Sequence, residues 1–336
     1  MKREYALEFS KVTEAAALAS FKWIGTGDKI SADDDAVSAM RYALNLVDFS
    51  GEIVIGEGEI DEAPMLYIGE KVGSGGEKLD IAVDPIDGTR MVALGQENAV
   101  AVMVLADQGK LLKAPDMYME KLMVNYLGKG AIDLDNSIEE NIKSLAKKLN
   151  KKVKDIKVMT LAKPRHEETI KRIQAIGAKV VAIPDGDVAG SIQVAMPETG
   201  IDMFYGIGGA PEGVISGAIM RAMDGDIQAR LITRSDAKGV CSENDKWTKV
   251  ELDKCQKLNI DVNKKLMLDD LISTDNLIVT ITGITDGSLL KGVTINGTIG
   301  TTETLLIRGK TRTVRRIQST HYLDLKDDAI KDLILN

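Results

Sequence analysis

Asp84, Asp87 and Thr89 stand within one short run, Asp80-Ile-Ala-Val-Asp84-Pro-Ile-Asp87-Gly-Thr89. Carboxylates this close repel each other unless one is protonated or a cation lies between them. Ile81 to Val83 read as a strand, which Pro85 is predicted to end because it has no ladder N–H to donate. Gly88 is free to take a strained dihedral and Thr89 is suited to open a helix. A helix start presents unpaired N–H groups, the setting in which a phosphate binds. The chemistry pointed to is a cation working on a phosphate group.

Other stretches bring similar residue types. Ala32-Asp33-Asp34-Asp35 precedes an amphipathic helix through Met40, Ala43, Leu44 and Val47. These aspartates either cap that helix and offset its dipole or aim Asp33 at a site. Glu52 to Ile55 form a short strand leading into Gly56-Glu57-Gly58-Glu59-Ile60-Asp61-Glu62. Acids at alternating positions suit a solvated edge; with two glycines making room for a neighbour, Glu57, Glu59 and Asp61 form a second carboxylate cluster. Gly206-Ile-Gly-Gly209-Ala-Pro211-Glu212-Gly213 is either a glycine-rich turn or a nest of backbone N–H groups, with Pro211 in the first helical position and Glu212 in the first turn.

Lys163 and Arg165 straddle Pro164 at a helix entrance, as solvated surface cations or as a clamp on a phosphate. Asp185-Gly186-Asp187 either caps a helix or accepts hydrogen bonds from sugar hydroxyls. In Ala114 to Leu122 the methionines read as core fillers, and Tyr118 presents its hydroxyl to a ligand in the alternative reading. The basic tract from Arg308 to Arg316 alternates as a strand with one charged face, at the surface or a subunit contact.

The elements that must position these residues change rhythm along the chain. A helix is predicted from Tyr5 to Lys22, stopping near Gly25, and a strongly apolar strand runs through Ala99 to Leu105. A lysine-rich helix covers Asn136 to Val153, with a lobe boundary placed at 150. Beyond it, strands at Ile156–Leu161, Lys179–Ile183 and Ile201–Tyr205 alternate with helices, as in a parallel sheet with crossover connections. All three unusual loops follow such strands, where ligands of these sheets bind. Asn276 to Thr320 reads as β-rich. The reading is therefore α/β in two lobes, an α+β lobe over 1–150 and an α/β lobe over 151–336.

Composition excludes other classes. The chain has 336 residues and a net charge of −8, against the basic faces that nucleic-acid binding needs. Aromatics make up 4%, too few for base-stacking platforms. No apolar run reaches the length of a membrane span, and the opening residues lack a signal core, so a cytoplasmic location is expected. Cys241 and Cys255 form neither a disulfide framework nor a metal spacing. With only His166 and His321 as histidines, any metal here is expected to be held by oxygen.

Asp-Pro-Ile-Asp-Gly-Thr is similar to the signature of the metal-dependent, lithium-sensitive sugar phosphatases. Together with Ile55 to Glu70, Ala114 to Leu122, Leu161 to His166, Ile183 to Val188, Tyr205 to Gly213 and Thr302 to Leu323, the chain resembles the class II fructose-1,6-bisphosphatases. The resemblance implies the two-lobed, layered α/β/α/β/α sugar-phosphatase fold and divalent metal, Mn2+ or Mg2+. It implies Asp33, Glu57, Asp84, Asp87 and Glu212 as metal ligands. Asp87, Gly88, Thr89, Tyr118, Lys163, Pro164, Arg165, Asp185, Gly186, Asp187 and Gly209 match substrate-contacting positions. Thr89, supported by Glu59 and Asp61, matches the positions that orient and deprotonate the attacking water. Some relatives carry Glu where this chain has Asp87. The implied reaction is gluconeogenic hydrolysis of the 1-phosphate of fructose 1,6-bisphosphate, in a homodimer or homotetramer. The alternatives are a sedoheptulose 1,7-bisphosphatase or another sugar or inositol phosphatase and, more distantly, a non-catalytic module that binds metal or sugar phosphate.

Overall fold

The computed structural model describes residues 1–2, 4–58 and 65–335. The chain divides into two units, Met1–Leu111 with Thr274–Asn336, and Leu112–Ser273. In the first unit α1 (Tyr5–Ser20) buries Phe9, Val12, Ala16 and Ala17. Phe9 meets Phe49 edge-on with ring centroids 4.8 Å apart. Helix α2 (Lys29–Asn45) packs on α1 and is capped by Asp28, whose carboxylate accepts from the Ser31 N–H at 3.0 Å. The cap expected among Asp33 to Asp35 thus falls earlier, at Asp28, and all three of these aspartates lie inside the helix.

Strands β1 (Ser50–Ile55) and β2 (Lys71–Val72) pair antiparallel, and β1 runs parallel to β3 (Lys78–Asp87). The short helix α3 (Thr89–Ala93) follows, and β4 (Val100–Asp107) returns antiparallel to β3. Buried along almost its whole length, β4 is a central strand, which is why it reads as an unbroken apolar run.

The second unit holds β5 (Tyr118–Val124), α4 (Ile138–Lys148), β6 (Lys157–Leu161), α5 (Glu167–Ala175), β7 (Lys179–Ile183), α6 (Asp187–Ala195), β8 (Met203–Gly209), α7 (Ala210–Ala222), β9 (Asp226–Ile232), α8 (Arg234–Lys238), α9 (Ser242–Leu258) and β10 (Lys265–Met267). Its strands lie in the order β10-β9-β5-β8-β6-β7. The expected parallel crossovers hold for β6, β7 and β8, whereas β5 is antiparallel to both β8 and β9. The sheet is therefore mixed. Helix α4 starts at a capping box on Ser137 and keeps Ile142, Leu145 and Ala146 in this unit's own core.

The chain then returns to the first sheet with β11 (Leu277–Gly283), β12 (Thr294–Asn296), β13 (Ile299–Arg308) and β14 (Thr313–Tyr322). Because β11 pairs along its whole length with β4, residues from Thr274 onward belong with the amino-terminal segment. A buried hydroxyl chain from Thr13 on α1 through Thr282 to Thr304 reinforces this, each link at 2.8 Å. A division at 150 therefore differs from the observed units at both ends: Leu112 to Asn150 fall with the second unit, and Thr274 to Asn336 with the first. The basic tract also differs from one charged strand, since it turns at Gly309–Thr311 and Arg312 takes φ 50° between β13 and β14. The architecture is mixed α/β with two sheets, as expected. Among the described residues no helix is long and apolar enough to cross a membrane.

Candidate active site

In the first unit the acidic residues sit on the elements around β3. The strand does not stop at Pro85 but runs on to Asp87, and the absent N–H falls in an irregularity of the ladder. There Asp84 faces Val102 and Asp87 faces Val100, so three steps on β3 match two on β4. That extra residue puts both carboxylates on one face of the sheet, whereas regular alternation would put them on opposite faces. Gly88 takes φ 95° and caps α3, a left-handed conformation that favours glycine. Thr89 then opens α3, its Oγ1 donating to the Ile86 carbonyl at 3.2 Å. Helix α3 is tied to the approach to α2, because Gly25 N–H donates to Val92 O at 2.9 Å and Gly27 N–H to Ala93 O at 2.8 Å.

Asp33 and Glu57 are brought together by a side-chain hydrogen bond. Burial pushes the Asp33 carboxyl up, the neighbouring Asp34 charge adds to this, and the bond with Glu57 offsets part of it. Two carboxyl groups hydrogen-bond only if they share a proton, and a cation between them does the same electrostatic work. Glu59 and Asp61 lie outside the described residues.

In the second unit the site is built on β5, β8 and three helix entrances. The glycines expected to form a nest, Gly206, Gly208 and Gly209, are instead extended residues of β8, and none has a positive φ. The missing side chain of Gly206 makes room for the Phe204 ring, and those of Gly208 and Gly209 for neighbouring carboxylates. A Cβ on Gly208 would lie 3.2 Å from Asp187 Cγ, and one on Gly209 would lie 2.7 Å from Glu212 Cδ. Helix α7 starts at Ala210 with Pro211 in its first turn, so Glu212 curls back towards Gly209. Its Oε2 is buried without a hydrogen-bond partner. Burial pushes this carboxyl up to about 7, the Asp187 charge adds to the effect, and Lys121 pulls it back.

Asp185 pairs with Lys163 at 3.2 Å, and Gly186 takes φ 83° to let Asp187 enter α6. Arg165, in the single turn Pro164–His166 after β6, donates from Nε to the Ile207 carbonyl at 2.8 Å. Its guanidinium lies 5.4 Å from the Tyr118 ring centre, and the Lys238 ammonium lies 5.3 Å from the same centre. Burial, reinforced by the Arg165 charge, holds the His166 imidazole down at about 4, and its Nε2 accepts from the Ile207 N–H at 2.8 Å.

Each unit therefore gathers its own share of the expected residues. Asp33 joins Glu57, and Asp84 shares a face with Asp87 beside Thr89. In the second unit Lys163 pairs with Asp185, Arg165 lies over Tyr118, Asp187 and Gly209 both meet Lys121, and Glu212 folds against Gly209, with Pro164 and Gly186 adjoining these residues in sequence. Among the described residues no group of three His, Cys, Asp or Glu side chains stands ready to hold a metal. The donors nevertheless suit a hard divalent cation: all are carboxylate oxygens, Asp33 and Glu57 meet carboxyl to carboxyl, and Glu212 Oε2 is buried without a hydrogen-bond partner.

Two residues of this site are absent from the sequence reading. Lys121 is buried on β5, where it pairs with Asp187, and Lys238 lies over Tyr118. A lone lysine amid Met119, Leu122 and Met123 is a legible signal, because lysine is almost never fully buried unless it is paired. For Lys238 only the spatial neighbourhood carries information.

A sequence model of the family described as bacterial fructose-1,6-bisphosphatase, glpX-encoded, matches residues 3–321. The chain is 58% identical over 325 residues to the fructose-1,6-bisphosphatase class 2 of Haemophilus influenzae, covering 96% of this chain and 98% of that one. It is 56% identical over 336 residues to the fructose-1,6-bisphosphatase 1 class 2 of Escherichia coli, covering the whole of both. To the fructose-1,6-bisphosphatase 2 class 2 of the same bacterium it is 49% identical over 314 residues, with 93% and 97% covered.

Proposed function

The chain belongs to the bacterial glpX-encoded fructose-1,6-bisphosphatase family, and from that membership we propose how its residues divide the hydrolysis of fructose 1,6-bisphosphate to fructose 6-phosphate and phosphate. The enzyme is a phosphoric monoester hydrolase serving gluconeogenesis. The observation that carries this reading is the identity of more than half of all positions with a class 2 fructose-1,6-bisphosphatase along the entire chain.

Asp33, Glu57, Asp84, Asp87 and Glu212 are the carboxylates we assign to divalent metal, Mn2+ or Mg2+. When bound, such a cation supplies Lewis acidity and neutralises charge on the phosphoryl group. Thr89 orients the attacking water in line with the leaving oxygen, and Glu59 and Asp61 polarise the threonine hydroxyl. Gly88 leaves room for the substrate phosphate at the entrance to α3. Lys163 and Arg165 hold the distal phosphate, which contributes positioning rather than chemistry. The support for this role is that Arg165 and Lys238 bring two positive charges over the Tyr118 ring, while Lys163 stands two residues before Arg165 and pairs with Asp185. Asp185, Gly186, Asp187 and Gly209 meet the sugar. Free Cys241 and Cys255 suit a reducing cytoplasm.

The test is phosphate release from fructose 1,6-bisphosphate, sedoheptulose 1,7-bisphosphate and an inositol phosphate, with Mn2+, with Mg2+ and with chelator. Preference for the fructose ester that vanishes with chelator is expected. Metal-independent turnover, or preference for inositol phosphate, overturns the assignment of roles.

A further inference from the structure

Lys121 has none of its surface exposed, and it lies on β5 between β8 and β9. Its ammonium pairs with the Asp187 carboxylate through Oδ2 and donates to the Gly209 carbonyl at 3.1 Å. Asp187 is itself only 7% exposed. The space around the pair is walled by glycine: a Cβ on Gly208 would lie 3.1 Å from Lys121 Nζ, and one on Gly213 would lie 3.3 Å from Lys121 Cδ. Strand β8 and helix α7 thus leave a channel for one lysine to reach one carboxylate.

A buried ion pair is seldom retained for stability, since well-packed apolar residues of the same volume do as well or better. What such a pair does supply is orientation: an aspartate whose Oδ2 is held by a fixed ammonium has a single rotamer and one oxygen left to offer. We propose that Lys121 is the positioning residue of the sugar subsite, fixing the Asp187 carboxylate in the orientation from which it accepts a hydroxyl of the sugar phosphate. This rests on the reading of Asp187 as a sugar-contacting residue. The Gly209 carbonyl is a second anchor for the ammonium, which holds the lysine in place if the carboxylate turns.

A double-mutant cycle tests this on the full-length enzyme, with KM and kcat for fructose 1,6-bisphosphate and thermal unfolding measured for each variant. Lys121→Met is expected to raise KM about thirtyfold while kcat changes far less, as expected when a fixed hydrogen bond to substrate is lost. Asp187→Asn is expected to raise KM by a similar factor. In the double variant KM should be no higher than in Asp187→Asn alone, because the lysine acts only through the aspartate. Should Lys121→Met fail to fold, the double variant, which carries neither charge, is compared with Asp187→Asn to decide the same question. Multiplying effects on KM, or a Lys121→Met enzyme with lowered Tm and unchanged KM, overturns the positioning role and leaves the sugar-binding assignment standing. Asp187→Asn with the wild-type KM overturns both.

Discussion

Gly209→Ala is the sharpest probe of Glu212. The backbone at Gly209 has φ −67° and ψ 147°, which alanine adopts without strain, so the perturbation is one of space alone. The added Cβ would lie 2.7 Å from Glu212 Cδ, against 3.4 Å for ordinary contact, and nearer still to Oε2. The carboxyl carbon must therefore retreat by about 0.7 Å and the oxygen by about 1.5 Å, because close contact is steeply repulsive and the atoms around a buried group are close-packed. Oxygen–cation distances hold to within ~0.2 Å, so a displacement of this size breaks a metal bond. Misplacement by ~1 Å typically costs on the order of a hundredfold in rate. We expect kcat/KM at fixed Mn2+ to fall by about 10²–10³, with the Mn2+ midpoint of activity shifted upward. Calorimetric Mn2+ titration without substrate separates binding from turnover, and far-UV circular dichroism checks the fold. A folded Gly209→Ala enzyme with the wild-type Mn2+ affinity and rate refutes the assignment of Glu212 to metal.

Thr89→Ala is expected to cut turnover by orders of magnitude while KM and Mn2+ binding stay close to wild type; full activity would remove the threonine from the mechanism. Both histidines make folding pH-dependent, since burial holds His166 and His321 down at about 4 from an ordinary 6.5. Between those values the unfolded chain binds protons that the native state refuses. Stability present at pH 7 is therefore lost as pH falls through that window, by about 1–3 kcal/mol for each imidazole. Urea unfolding at pH 7 and pH 5 measures this, and identical midpoints would contradict it. Glu14 has the opposite sign: burial pushes its carboxyl above the ordinary 4.5, so the native state favours the proton and stability is lost as pH rises through the raised value. Glu14→Gln keeps an acceptor for the Ser319 hydroxyl and should raise Tm at pH 8; a lowered Tm counts against the argument.

The local turn chemistry around Asp84 was legible because it depends on a few adjacent residues. Pro85 sets the irregularity, Gly88 supplies the left-handed cap and Thr89 begins the helix, as their types require. The strand nevertheless outran Pro85. A missing N–H ends a strand only where the ladder needs that donor, and an extra residue at this point removes the need. The helix cap is Asp28 rather than one of Asp33 to Asp35 for a similar reason: several acids compete for one helix start, and propensity does not choose among them. The run Gly206 to Gly209 suggests conformational freedom, yet Gly206 is small beside the Phe204 ring, Gly208 because Asp187 and Lys121 approach it from other elements, and Gly209 because Glu212 folds back on it.

By itself the sequence determined the chemical inventory: oxygen donors rather than histidines, two cations straddling a proline, a strand-to-helix turn suited to phosphate, and membership of a phosphatase family. These are properties of residue type and short spacing, which no long-range pairing can alter. Tertiary structure decided which strands share a sheet, and with that the division of the chain into units. The pairing of β11 with β4 joins segments far apart in sequence, and β5 sits between two strands that follow it. It also decided that Lys121 meets Asp187. A buried charge is selected by what surrounds it in space, and those surroundings come from chain segments that its own neighbours in sequence do not specify.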